Sequence, residues 1–239
     1  MKTQSSAIKK CSAGKLTISA AVYALVILVL LTGAASAQSI GQMTPDIRQL
    51  SPGLYCAGIP SDEFVYKAAP ESTGKQRMEN WCWAACIQMI LNFHGVKVTQ
   101  EQIVTRMFGS TIDRPADASV ILRALSGWAV TAKGKPVTIS ATQFVFNGSE
   151  IVSDLAYHQP LVVGLTTPNG IGHACVLTAV SYNVNQYNNE PIFQGVVIRD
   201  PWPGRSSRNE MGWNEFRSRL MFIARVRVTD ASYEDDYSE

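Results

Sequence analysis

The stretch NWCWAACIQMILNFHG, residues 80–95, limits the possible folds more than any other part of the chain. Apolar side chains run most of the way round a helix drawn through it, so that helix has to be covered on nearly all sides. Asn80 can act as its N-cap and Gly95 as the C′ residue that ends it. A central helix needs partners, and three more helices are readable. Thr99 and Gln102 in VTQEQIVTRMFG make a capping box, with Gly109 as the stop. A further helix is expected from Asp117 to Gly127, and another within SEIVSDLAYHQ, ended by Pro160. After Pro160 the period changes. LVVGL, HACVLTAVSY, FQGVVIRD and MFIARVRV are rich in β-branched residues and are separated by Pro, Gly and Asn. They read as strands, mostly antiparallel because the connections are short. Helices first and strands afterwards give an α+β fold: an N-terminal helical lobe, with the apolar helix that starts near Cys82 at its centre, packed on a C-terminal antiparallel sheet. A cleft between two such layers is the natural place for a site.

The two ends read differently from this body. Lys2, Lys9, Lys10 and Lys15 precede the apolar run LTISAAVYALVILVLLTGAASA, which closes on Ala35-Ser36-Ala37. A basic start, an apolar stretch and a small-residue site together describe a secretory signal peptide cut after Ala37. Contact with a membrane is expected only if this segment is not cleaved. Residues 38–70, rich in Pro, Gly and Ser, read as an arm, a pro-segment or a strand added to the body. Residues 229–239 read as an acidic tail. The body between them has no polybasic cluster, which argues against nucleic-acid binding. A single body of residues 71–228 is expected to act as a monomer.

Cysteines and histidines carry the chemistry. Without residues 1–37 the chain holds Cys56, Cys82, Cys86 and Cys175. Cys82 falls in the first turn of the central helix, where unpaired backbone N–H groups and the helix dipole favour an anion. That makes it the candidate nucleophile. Cys86, one turn further in, is better suited to packing or a disulfide. Neither a C-x2-C pair nor a histidine cluster completes a metal site, so no metal and no cofactor is expected. Cys175 lies two residues after His173 and shares its side of a strand. It fits a core position or a disulfide with Cys56 or Cys86.

Three histidines compete as base. His94 sits at the far end of the Cys82 helix, about 18 Å away at about 1.5 Å per residue. It suits the helix C-terminus instead. His158 falls in a turn before Pro160 and reads as a surface residue. His173 opens a strand after the Gly-rich PNGIG and can reach a facing helix. Asp200, at the end of the following strand, is suited to fix its tautomer. Gln76, six residues before Cys82, can join the Cys82 backbone N–H in binding an oxyanion.

Gln-x5-Cys-Trp, a later His-Ala opening a strand, and Asp-x-Trp together resemble the papain-like cysteine peptidases, above all their short bacterial secreted and effector-type members. The resemblance covers about residues 70–228. It implies Cys82 as nucleophile, His173 as base, Asp200 as third member and Gln76 in the oxyanion hole. Trp83 would be the aromatic after the nucleophile and Trp202 the shield of the His–Asp pair. It also implies hydrolysis of a protein or peptide substrate through a thioester, without a cofactor. Asp200 stands where most papains have Asn, and Asn80-Trp81 replaces the usual Gly-Ser-Cys before Cys-Trp. The same four residues would serve a cell-wall peptide amidase or a peptide-processing peptidase. An inactive binding module on this fold is the reading from another class.

Overall fold

The computed structural model describes residues 44–68, 74–128, 130–132 and 134–230. The expected signal peptide and most of the acidic tail lie outside these residues. Among the described residues no helix is long and apolar enough to cross a membrane.

Helix α2, Cys82–Phe93, is the centre of the molecule, and every residue in it after Cys82 is buried. Each large apolar side chain taken from water there contributes about 2 kcal/mol of transfer free energy. Before it comes α1, Ser61–Ala68, and after it α3, Gln100–Phe108, and α4, Ala118–Leu125. The Thr99–Gln102 capping box forms in full, and Asp117 caps α4 by accepting from the Val120 N–H. The fourth expected helix is α5, Gly148–Ala156, capped by Asn147 and ending before Pro160 is reached. A last short helix, α6, Trp213–Arg219, was not legible in the sequence.

The start of α2 departs from the sequence reading. Its N-cap is Trp81, without a side-chain cap bond, so Cys82 is the first helical residue. Tertiary bonds fix this entry. The Asn80 N–H donates to the Asp113 carboxylate, and the Trp81 indole N–H donates to the Ile112 carbonyl. Asn80 is therefore held outside the helix.

All strand pairs are antiparallel. The sheet runs in the order β1 (Ile47–Ser51), β2 (Leu54–Gly58), β6 (Gly172–Val184), β5 (Leu161–Thr166), β9 (Leu220–Asp230), β4 (Lys135–Gln143) and β3 (Val130–Ala132). Strand β7 (Pro191–Arg199) joins the other side of β6, and β8 (Arg208–Gly212) joins β7. The four strands read from sequence are β5, β6, β7 and β9. Residues 47–58 form a hairpin, and β2 pairs with β6 from Leu54↔Asn183 to Gly58↔Ala179.

Alternation along β6 divides the core. Ala174 and Val176 join the cluster around α2, while Cys175 and Leu177 join the one under α5 and α6. Strand β2 crosses β6 so closely at Gly58 that a Cβ there would lie 2.6 Å from the Ala179 Cα and 2.7 Å from the Thr178 carbonyl.

Candidate active site

His173 and Asp200 reach each other because β6 and β7 are neighbours. Val176 pairs with Arg199, and the chain continues beyond that pair to His173 on one side and Asp200 on the other. The His173 Nε2 lies 2.8 Å from the Asp200 Oδ1, with both side chains largely buried. The same oxygen accepts from the Trp202 N–H at 2.9 Å. The Trp202 ring stands edge-on to the His173 imidazole with centroids 6.1 Å apart.

Burial works against charge on His173, but the bond to Asp200 and contacts with the Cys175 and Cys82 thiols outweigh it, pushing its pKa up to about 12. Burial likewise opposes the Asp200 carboxylate, and the His173 and Trp202 bonds still hold its pKa below the usual value. Both shifts describe an imidazolium–carboxylate pair at neutral pH. Cys82 lies beside that pair at the N-terminus of α2, where the first backbone bond within the helix is Ala85 N–H to Trp81 carbonyl. The amides before Ala85 have no helical acceptor and make this end of the helix favourable to negative charge.

The three thiols differ. Cys82 is part-exposed and free; Cys86 and Cys175 are free and buried. Burial and the neighbouring negative groups push Cys86 well above the usual thiol range. Burial also raises Cys175, partly offset by His173. Cys56 is disulfide-bonded. Since Cys86 and Cys175 are both free, neither of the pairings considered for them exists, and Cys175 instead faces His173. Among the described residues, His173, Cys175 and Asp200 place one ligand atom each within 4.8 Å of one another. Within this trio the His173 Nε2 and the Asp200 Oδ1 share the 2.8 Å hydrogen bond.

Gln76 is buried in the turn that leads into α2. Its N–H joins the Pro201 carbonyl at 2.9 Å, tying this turn to the segment after Asp200. Its Nε2 donates to the Met78 carbonyl at 3.0 Å and the Glu79 carbonyl at 2.6 Å, while its Oε1 is buried without a partner. Two residues without any signal in the sequence hold this turn. Gln100, fully buried, donates to the Lys75 carbonyl and the Gln88 Oε1 and accepts from the Arg77 N–H. It thereby grips both peptide neighbours of Gln76. Lys75 donates to the carbonyls of Asp200, Trp202 and Arg205. Trp83 is buried, with its indole N–H donating to the Arg114 carbonyl and its ring edge-on to Phe108.

The other histidines have different surroundings. His94 is the C-cap of α2, and burial with nearby Lys67 and Arg227 lowers its pKa to about 4. It is the expected residue at the helix end, and at neutral pH it is neutral there. His158 is not a free surface residue: its ring nitrogens face Glu63 at 3.2 Å and Asp46 at 3.4 Å.

With this geometry in place, residues 68–221 match the family model of papain-like cysteine protease AvrRpt2. The chain belongs to that family. It is a cysteine-type peptidase on a papain-like fold. No curated protein sequence matches it. Two solved structures are similar to this family member. One is a double glycine motif protease from an AMS/PCAT transporter in complex with its leader peptide, 17% identical, covering 66% of this chain and 89% of that one at a TM-score of 0.41. The other is proCathepsin B S9 from Trypanosoma congolense, 10% identical, covering 94% of this chain and 88% of that one at 0.43. The family match is the ground for the assignment.

Proposed function

We propose that the protein is a secreted thiol endopeptidase that cuts peptide bonds with Cys82, His173 and Asp200. The observation that supports this most is the His173–Asp200 bond of 2.8 Å beside a part-exposed Cys82 at a helix N-terminus. Cys82 Sγ attacks the scissile carbonyl as thiolate. His173, held as imidazolium by Asp200, gives its proton to the leaving amine, and a thioester to Cys82 forms. Water then adds to the thioester with His173 as base, releasing the acid and restoring the thiolate. The Cys82 backbone N–H binds the oxyanion, and Gln76 joins it when its Nε2 leaves one of its two carbonyls. Trp202 keeps water from the His–Asp pair. Trp83 braces the first turn of α2 from below. The basic, apolar and small-residue run at 1–37 supports export with cleavage after Ala37, for which the exported chain should start at Gln38.

The test is the rate of iodoacetamide alkylation of each thiol against pH, read by mass spectrometry, alongside casein hydrolysis. Cys82 should react fast below pH 7 in the native protein, and Cys86 and Cys175 only after unfolding. His173→Ala should remove the fast reaction, and Cys82→Ala should abolish hydrolysis. Undiminished hydrolysis in Cys82→Ala sinks the assignment.

A further inference from the structure

A cleft of about 440 Å³, lined by Phe64, Lys75, Arg199 and residues 205–208, takes no part in the proposed peptidase reaction. Among the described residues its lining includes Lys75, Arg199, Arg205 and Arg208 and no acidic side chain. Arg199 is the unusual member. It is only 2% exposed, yet among the described residues its guanidinium meets neutral groups: the Thr178 hydroxyl at 3.4 Å, the Ser61 hydroxyl at 2.8 Å and the Phe64 ring at 5.0 Å. Burial, with the like charge of Arg208, lowers its pKa to about 10. A buried cation is costly without an anionic partner, and guanidinium groups in this state suit the planar or tetrahedral oxygens of an anion.

The surroundings add charge of the same sign. Arg208 is paired with Glu210, whereas Arg205 stands on the exposed 200–207 loop. Burial lowers the pKa of Lys75, opposed by the nearby Asp200, and Lys75 is shared between cleft and loop.

We propose that this cleft is a binding site for a phosphate-type oxyanion, with Arg199 as its floor and Lys75, Arg205 and Arg208 as its walls. The fork of Arg199 takes two oxygens of the ligand, and the wall cations neutralise the remaining charge. Such a ligand comes either as the free ion or as a phosphomonoester, for which the volume leaves room. Lys75 connects the site to catalysis: it holds the carbonyls of Asp200, Trp202 and Arg205, and its own carbonyl is gripped by Gln100. An occupant of the cleft is therefore felt in the segment that carries Asp200.

The experiment is isothermal titration of residues 38–239 with inorganic phosphate and, separately, with O-phosphoserine. Ionic strength is held constant with chloride, and acetate is the control for a singly charged anion. Saturable one-site binding by at least one phosphate probe is expected, at least tenfold tighter than acetate. Tighter binding of O-phosphoserine than of phosphate identifies a phosphomonoester as the occupant; the reverse identifies the free ion. Arg199→Gln should weaken binding at least tenfold. If Arg199→Gln fails to fold, Arg205→Ala, on the exposed loop, should still weaken it severalfold. Absence of saturable binding, equal binding of acetate, or unchanged affinity in the folded variants overturns the proposal. Because binding is read without substrate, a failure here is separable from any failure of the peptidase assignment.

Discussion

Replacing Asp200 by Asn tests the origin of the charge on His173. The substitution keeps an oxygen in place of Oδ1, which can still accept from the His173 Nε2 and the Trp202 N–H, but it removes the negative charge. Unit charges 2.8 Å apart interact by about 6 kcal/mol at an effective dielectric constant of about 20. At about 1.4 kcal/mol per pH unit this corresponds to about four units. The titration of His173, pushed up to about 12 in the native protein, should therefore fall to about 8 in Asp200→Asn. The assay is kcat/KM for a fluorogenic peptide against pH. The native enzyme should hold its plateau up to the alkaline limit of its fold, while the variant should lose activity on a basic limb near pH 8. A native-like profile in a folded variant would refute the claim that the Asp200 charge keeps His173 protonated. The stability of the pair follows the same signs. The His173 contribution is complete below its ordinary pKa of 6.5 and is lost as pH rises towards about 12. The Asp200 contribution is present above 3.8 and is lost as pH falls through the lowered native value.

Three other expectations use different parts of the molecule. His94 has a lowered native pKa, so the unfolded chain binds its proton first and stability should rise between pH 4 and pH 6.5. The gain is up to about 3 kcal/mol, and urea denaturation across that range should show the slope disappear in His94→Gln. Gln100→Leu leaves the Lys75 carbonyl and the Arg77 N–H without their partner. It should cost about 2–4 kcal/mol of stability and, at a temperature where the variant is folded, lower kcat more than it raises KM. Unchanged kcat there would show that Gln100 does not position the Gln76 turn. Gly58→Ala puts a methyl group against the backbone of Ala179 and Thr178, which cannot swing away as a side chain can. It should lower the unfolding free energy, read from urea denaturation, by more than the about 1–3 kcal/mol of ordinary overpacking; a neutral result would mean that β2 can slide along β6.

Much of the helical part is legible in the chain itself. Thr99 with Gln102, Asp117 and Asn147 cap helices through atoms three residues away, and contacts that local depend little on the rest of the fold. The spacing of Gln76, Cys82, His173 and Asp200 is also a property of the chain, as is the all-round apolar character of α2. The β1–β2 hairpin, β8 and α6 are short segments whose burial is set by what they pack on, and their own periodicity is too weak to announce them.

Caps, period and turn signals act over a few positions, so the local elements and the residue types available for chemistry are already present in the chain. The tertiary structure alone decided which groups share a site. It turned the first turn of α2 by tying Asn80 and Trp81 to residues 112 and 113, and it set Cys175 free beside His173. It brought Lys75 to carbonyls 125–130 residues away, and left Arg199 buried with neutral partners at the edge of a cleft. They come from contacts between segments far apart in the chain, among them the pairing of β6 with β7 that brings His173 to Asp200. Packing across the sheet fixes those distances, and no spacing along the chain encodes them.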